Sequence, residues 1–276
     1  MSPGPFAGTT VRDALDSALI ALRAAKVDTP ELDAEVLLAH ALGTDRTQLF
    51  LDSGREVTGP AVHAFQDLVR RRTVTREPVA YLVGHKGFRH IDLDVDARVL
   101  VPRPETELLV EVGLELPDGA SVVDVGTGSG AIALALKHER PDLRVTATDV
   151  SADALAVARD NAARLGLDVS FQHTDLFEGA FDAVLSNPPY IATSDPLPRD
   201  VAEHEPHQAL YGGDDGTEVV SRLVARCAES DVGLLAIEVG EGQADAVAAL
   251  AGGAAFGHVE LRRDLAGIDR VVIARR

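Results

Sequence analysis

The chain has a single cysteine, Cys227, among 276 residues. One thiol excludes an internal disulfide framework and a thiolate metal cluster, and Cys227 reads as a small buried apolar side chain. No apolar run is long enough to span a bilayer. The N-terminal Met1-Ser2-Pro3-Gly4-Pro5 lacks a basic flank followed by an apolar segment, so the expectation is a soluble, cytoplasmic protein without a membrane partner. Positive charge is also scarce: 26 Lys and Arg stand against 44 Asp and Glu, a net −18. That field repels phosphate backbones, so nucleic acid as a direct substrate would need a local basic patch. The conspicuous basic cluster, Arg70-Arg71-Arg72 with Arg76, lies at the end of a predicted helix, where solvated cations suit the dipole. The histidines, among them His85, His90, His173, His204 and His207, show no H-E-x-x-H or other metal spacing, so no metal is implied. No G-x-S-x-G elbow supports acyl chemistry. Internal repeats and low-complexity stretches are absent too.

What is present is enough apolar residue, 46%, to bury a full core. Thr10 with Asp13 forms a capping box for a first helix. Thr29-Pro30 opens a second, stopped by Gly43, and a third starts near Pro60 with Val62, Phe65, Leu68 and Val69 on one face. Residues 1–76 therefore read as a small helical domain. Over 77–101 the period changes: residues 79–83, then Ile91, Leu93 and Val95 alternating with aspartates, predict a two-stranded connector turning near Gly84 and Gly87. Residues 102–276 alternate strands and helices, which predicts an α/β domain with a mostly parallel sheet, covered on both faces, with its ligands at the carboxyl ends of the strands.

Four successive strand ends carry polar chemistry. The first runs into Asp124-Val125-Gly126-Thr127-Gly128-Ser129-Gly130, where glycines permit a sharp turn and close approach of a ligand, and a helix amino end offers N–H donors. The second ends in Asp149, placed to accept both hydroxyls of a ribose. Asp149 equally suits the cap of the next helix. The third ends in Asp175, an acceptor for an adenine amino group, with Leu176 and Phe177 as apolar cover. The fourth ends in Ser186-Asn187-Pro188-Pro189-Tyr190. Consecutive prolines forbid continuation of the sheet and leave a rigid row of acceptors. The side-chain carbonyl of Asn187 and the backbone carbonyl of Pro188 can both accept from one planar NH2 group, while the Tyr190 ring covers a flat substrate.

This ordering resembles the Rossmann-like S-adenosylmethionine-dependent methyltransferases, and within them the protein-(glutamine-N5) methyltransferases that modify peptide-chain release factors (the HemK/PrmC family). The resemblance covers nearly the whole chain. It rests on Pro102-Arg103-Pro104-Glu105-Thr106-Glu107, on the stretch from Asp124 to Ala133, on Ser186-Asn187-Pro188-Pro189-Tyr190-Ile191, and on Glu205-Pro206 followed by Ala209-Leu210 and Gly212-Gly213. Leu176 departs from relatives that carry tryptophan beside the adenine.

The resemblance implies S-adenosylmethionine as cofactor, bound by Gly126, Thr127, Gly128, Ser129, Gly130, Asp149, Asp175 and Leu176 with Asn187 at its border. It implies Asn187, Pro188 and Tyr190 as catalytic, Pro189 as shaping the substrate slot, and the glutamine of a release factor's Gly-Gly-Gln motif as the substrate. The first domain is expected to grip the protein substrate, and Pro102 to Glu107 to close over the site. A glutamine methyltransferase of a ribosomal protein and an adenine-N6 nucleic-acid methyltransferase share the same Asn-Pro-Pro-Tyr logic. A cofactor-binding module without activity and an NAD-dependent dehydrogenase are the more distant readings. The G-x-G-x-G spacing disfavours the dehydrogenase.

Overall fold

A computed structural model describes residues 9–276, so the reading made on residues 1–5 falls outside the described residues. The chain divides into two units, residues 9–84 with Pro198–His204, and His85–Leu197 with Glu205–Arg276.

The first unit is helical: α1 (Val11–Ala24), α2 (Pro30–Leu42), α3 (Arg46–Leu51), α4 (Pro60–Arg70) and α5 (Val79–Val83), joined by the short helix Arg199–His204 (α9). The expected capping box is formed, with Thr10 Oγ1 accepting from the Asp13 amide and Asp13 accepting from the Thr10 amide. Pro30 stands in the first turn of α2, and Gly43 ends it in the left-handed conformation at φ 62°. Leu22, Leu37, Leu38, Phe65 and Leu68 form its core.

Two expectations fail here. Residues 79–83 are a helical turn, not a strand, because five consecutive apolar residues carry no period that separates the two states. The basic cluster is solvated only in part: Arg70 is exposed, as expected, but the residues after it turn inward. Arg72 is buried, 2.7 Å from Asp33 and 3.5 Å from Asp200, and its neighbours Arg71 and Arg70 pair with Glu77 and Asp67. Arg76 donates to the carbonyl of Ala25. The positive charge is spent within the unit.

The second unit opens with an antiparallel hairpin of β1 (His85–Phe88) and β2 (Ile91–Asp94). After α6 (Glu107–Leu114) come β3 (Ser121–Val125), α7 (Ala131–Glu139), β4 (Arg144–Asp149), α8 (Ala152–Leu165), β5 (Ser170–His173), β6 (Ala183–Ser186), α10 (Glu218–Ala228), β7 (Leu234–Glu238), α11 (Ala244–Ala254), β8 (His258–Arg263) and β9 (Asp269–Arg275). The seven-stranded sheet runs β5-β4-β3-β6-β7-β9-β8. Only β9 runs opposite to the other six strands.

Strands β3, β6 and β7 are buried along both faces, which is why they read as continuous apolar runs. Alternate residues serve opposite layers. Val123, Val125, Val184, Leu235 and Ile237 join the core of α10 and α11, whereas Leu185 lies toward α6 and α7, close to Gly113 and Leu136. The order reverses between β3 and its two neighbours β4 and β6, which places the ligand crevice at their carboxyl ends.

Candidate functional site

Strand register sets the site. Val125 pairs with Thr148 and with Ser186, and Ser186 pairs with Ile237. One residue further along each strand, Gly126, Asp149, Asn187 and Glu238 therefore form a row across four strand ends. The first three line a cavity of about 420 Å³, together with Leu100, Gly128, Leu176, Pro188 and Pro189. A cavity of that size suits a small organic ligand.

The β3/β4 side is a floor of backbone. The amides that an open loop would leave as donors are taken up internally: Gly126 and Thr127 both donate to the Thr148 carbonyl at 2.9 Å, and Gly130 donates to the Thr127 carbonyl. The Gly128 amide donates to Asp149 at 3.0 Å. Thr127 and Ser129 are buried beneath the loop, and Thr127 Oγ1 donates to Asp124 at 2.6 Å. Gly130 is required on two counts, its φ of 88° and the 2.7 Å that would separate a Cβ from the Leu134 side chain. The loop offers an open surface rather than a phosphate cradle.

Asp149 accepts from the amides of Gly128 and Ser151, which leaves lone pairs for two further donors. Burial holds its carboxyl above the usual carboxylate range. Burial pushes Asp124 up to about 7, against hydrogen bonds from Thr127 and Ala133. Arg98 and Arg222 also line the cavity but pair with Asp96 and Asp175, so its acidic floor suits a nucleoside bearing a cation rather than a pyrophosphate.

Leu176 sits in the left-handed conformation, φ 63°, with its carbonyl accepting from Thr148 Oγ1 at 2.6 Å. A leucine held there costs free energy of about 1–3 kcal/mol. Asp175 lines the same cavity but is exposed and bound to Arg222, so its carboxylate is already engaged by a guanidinium.

On the β6/β7 side, Asn187 Nδ2 donates to Thr106 Oγ1 at 3.1 Å, which turns the carbonyl end of the amide away from Thr106. Pro188 is buried and Pro189 half-buried. Their loop is braced from behind: a Cβ on Gly212 would come within 2.3 Å of the Pro189 carbonyl, and one on Gly216, at φ 76°, within 2.3 Å of the Tyr190 carbonyl. Glu205 is buried and accepts from Arg103 at 2.5 Å and from the Val101 amide at 3.2 Å, which anchors the Pro102–Glu107 stretch.

The structure thus brings Gly126, Gly128, Asp149, Asp175, Leu176, Asn187, Pro188 and Pro189 to one cavity. Thr127, Ser129 and Gly130 lie behind it as supports. Tyr190 is not among the lining residues. Its ring leans on Gly240, its carbonyl accepts from Gln243, and its hydroxyl is pushed up to about 12 by burial and by the charge of Glu238. Sequence reasoning missed Arg98, Leu100 and Tyr211 in the lining, and Glu238 beside it. For Glu238 a signal existed: one carboxylate inside the apolar run from Leu234 to Val239.

This sheet order, with a glycine loop after β3 and an acid ending β4, defines a Rossmann-like S-adenosylmethionine-dependent methyltransferase. Residues 13–84 match the PrmC N-terminal domain and residues 90–203 the methyltransferase small domain. The release factor glutamine methyltransferase of Deinococcus radiodurans is 42% identical over 275 residues, spanning 96% of this chain and 98% of its own. That of Mycolicibacterium smegmatis is 42% identical over 280 residues, spanning 97% and 98%. The chain belongs to the family of release factor glutamine methyltransferases. A methyltransferase structure from Pyrococcus furiosus, 20% identical, superposes with a TM-score of 0.51 over 66% of this chain and 88% of its own, a likeness of fold alone.

Proposed function

We propose that the protein transfers a methyl group from S-adenosylmethionine to the side-chain amide nitrogen of the glutamine in the Gly-Gly-Gln motif of peptide-chain release factors. The observation that carries this reading is the orientation of Asn187. Its NH2 end is engaged by Thr106, so its carbonyl end is free to accept from a substrate NH2 group.

Bound S-adenosylmethionine supplies an electrophilic methyl group on a sulfonium, and no metal is called for. The residues of this chain supply position and charge complementarity. Asp149, with lone pairs to spare, accepts the ribose hydroxyls. The bare backbone at Gly126 and Gly128 lets the nucleoside approach, and Leu176 covers its base.

A glutamine amide is a poor nucleophile because its lone pair is delocalised. Asn187 Oδ1 and the Pro188 carbonyl hold its two hydrogens, aim the lone pair and favour the positive charge that develops on nitrogen. Pro189 shapes the slot. Tyr190, whose ring leans on Gly240, backs the slot from behind rather than lining it. The alkylated nitrogen is acidic and releases its extra proton to water, so no strong base is needed beforehand. Residues 1–76 grip the protein substrate, residues 77–101 connect, and residues 102–276 carry the chemistry. A cytoplasmic location fits a substrate that acts in translation.

The test is incubation with labelled S-adenosylmethionine and a release factor, beside the factor's Gln→Ala variant in the Gly-Gly-Gln motif, with the added methyl mapped by mass spectrometry. Label on that glutamine in the wild-type factor alone is the expected result. Label on a ribosomal protein or on nucleic acid instead, with the factor unlabelled, would overturn the substrate assignment.

A further inference from the structure

Glu238 stands in the same row as Asn187, one strand over, and it is 2% exposed. The Thr106 hydroxyl bears on the carboxylate and favours its charged form, and one carboxylate oxygen, Oε2, has no hydrogen-bond partner among the described residues. Thr106 is itself 4% exposed, and its oxygen accepts from Asn187 Nδ2. Three side chains from residues 106, 187 and 238 therefore form a single line that ends at the cavity wall.

We propose that Glu238, acting through the hydroxyl of Thr106, is the positioning residue that sets which end of the Asn187 carboxamide faces the substrate. This inference rests on the amide-methylation reading above and deepens it. A hydroxyl has one proton to donate. A carboxylate can only accept, so it claims that proton, and the Thr106 oxygen is left solely as an acceptor. Only the NH2 end of Asn187 can satisfy it, and the carbonyl end must turn outward.

Protonated Glu238 removes this constraint. Its own O–H can donate to Thr106, whose proton then goes to Asn187 Oδ1, and the amide presents NH2 to a substrate NH2. One of the two acceptor contacts, that of Asn187 Oδ1, becomes a repulsive one. The charged and titratable groups facing Glu238 are Glu105, Arg103, Arg270 and Tyr190. Burial outweighs the Thr106 bond and the two arginines, and the carboxyl is pushed up to about 7. The line can therefore reverse near neutral pH.

Three variants and two readouts test this. Thr106→Val, which keeps the shape and removes the hydroxyl, is expected to lower kcat at least tenfold with KM for the release factor within threefold of wild type. Thr106→Ser, which keeps the hydroxyl, is expected to restore kcat to within threefold. Wild-type kcat should fall as pH drops through the midpoint of Glu238. In Glu238→Gln the rate should be low throughout, with that acid limb absent. The second readout needs no substrate: in the free protein, the Asn187 side-chain 15N–1H resonances should titrate together with the Glu238 carboxyl 13C resonance, and cease to do so in Thr106→Val.

Asn187 resonances indifferent to Glu238, or Thr106→Val turning over like wild type, would overturn the relay. Should Glu238→Gln fail to fold, the valine and serine pair still decides. Failure of the amide-methylation reading looks different: wild type leaves the release factor unlabelled while the Asn187 and Glu238 resonances still move together.

Discussion

On the β3/β4 side of the cavity, the floor is backbone and the Asp149 carboxylate, drawn from residues 124–151, with Leu100, Asp175 and Leu176 beside it. On the β6/β7 side, the groups that the proposed function assigns to the substrate are held by residues 103–106, 186–190, 205, 212–216 and 238. The difference follows from what each side must recognise. A nucleoside needs a smooth surface and an acceptor for its hydroxyls, and a tight turn supplies both locally. A planar NH2 group needs two acceptors at fixed angles, and short side chains hold fixed angles only when packing from several directions restrains them. The comparison predicts that damage on the second side should lower turnover, and damage on the first should lower cofactor affinity.

The sharpest probe is Asn187→Ala. It should reduce single-turnover methyl transfer about 10²–10³-fold, the usual cost of one preorganised transition-state contact. S-adenosylmethionine affinity by calorimetry should stay within a few-fold. Equal losses in both measurements would erase the distinction between the two sides.

Asp149→Ala comes next. Loss of a charge-assisted ribose bond of roughly 1.5–3 kcal/mol should raise the cofactor dissociation constant about 10–100-fold, while kcat at saturating cofactor falls much less. Gly216→Ala drives a Cβ toward the Tyr190 carbonyl in a backbone conformation that alanine resists. Urea unfolding should show a loss of about 1–3 kcal/mol, with turnover falling more than cofactor affinity. The smallest effect is expected for Arg222→Ala. That variant frees Asp175 from an exposed ion pair and should change the cofactor dissociation constant by less than about fivefold. A larger gain would show that Asp175 reads the base once released.

The same contrast explains what was legible in the residues alone. The glycine loop, Asp149 and the Asn-Pro-Pro-Tyr turn are contiguous words whose backbone consequences are local, and they fall where strand ends were expected. Glu238 could be noticed as a charge in an apolar strand, but its relation to Asn187 exists only through the register of β6 on β7. Thr106 belongs to a stretch expected to close over the site, and its hydrogen bond to Asn187 spans 81 residues of sequence. Ring direction was not readable either, since Tyr190 turns toward Gly240 for reasons of packing. Nor was the engagement of Asp175 by Arg222, which depends on where α10 begins. In the helical unit, caps and faces were legible because they act within four residues. The buried fate of Arg72 was not, because Asp33 and Asp200 lie 39 and 128 residues away.

That last placement bears on where the chain can be cut. Helix α9 counts with the helical unit, yet all of it but His204 is encoded inside the stretch that matches the methyltransferase small domain. A fragment ending at residue 84 would carry Arg72 and Asp33 without Asp200, and without the His204 ring that meets the Thr75 carbonyl at 2.6 Å. Exchanging the helical unit between relatives by swapping only the amino-terminal third would strand a buried guanidinium beside a foreign partner. A working chimera has to carry residues 198–204 along with the donor, so inheritance of this unit is written in two places in the gene.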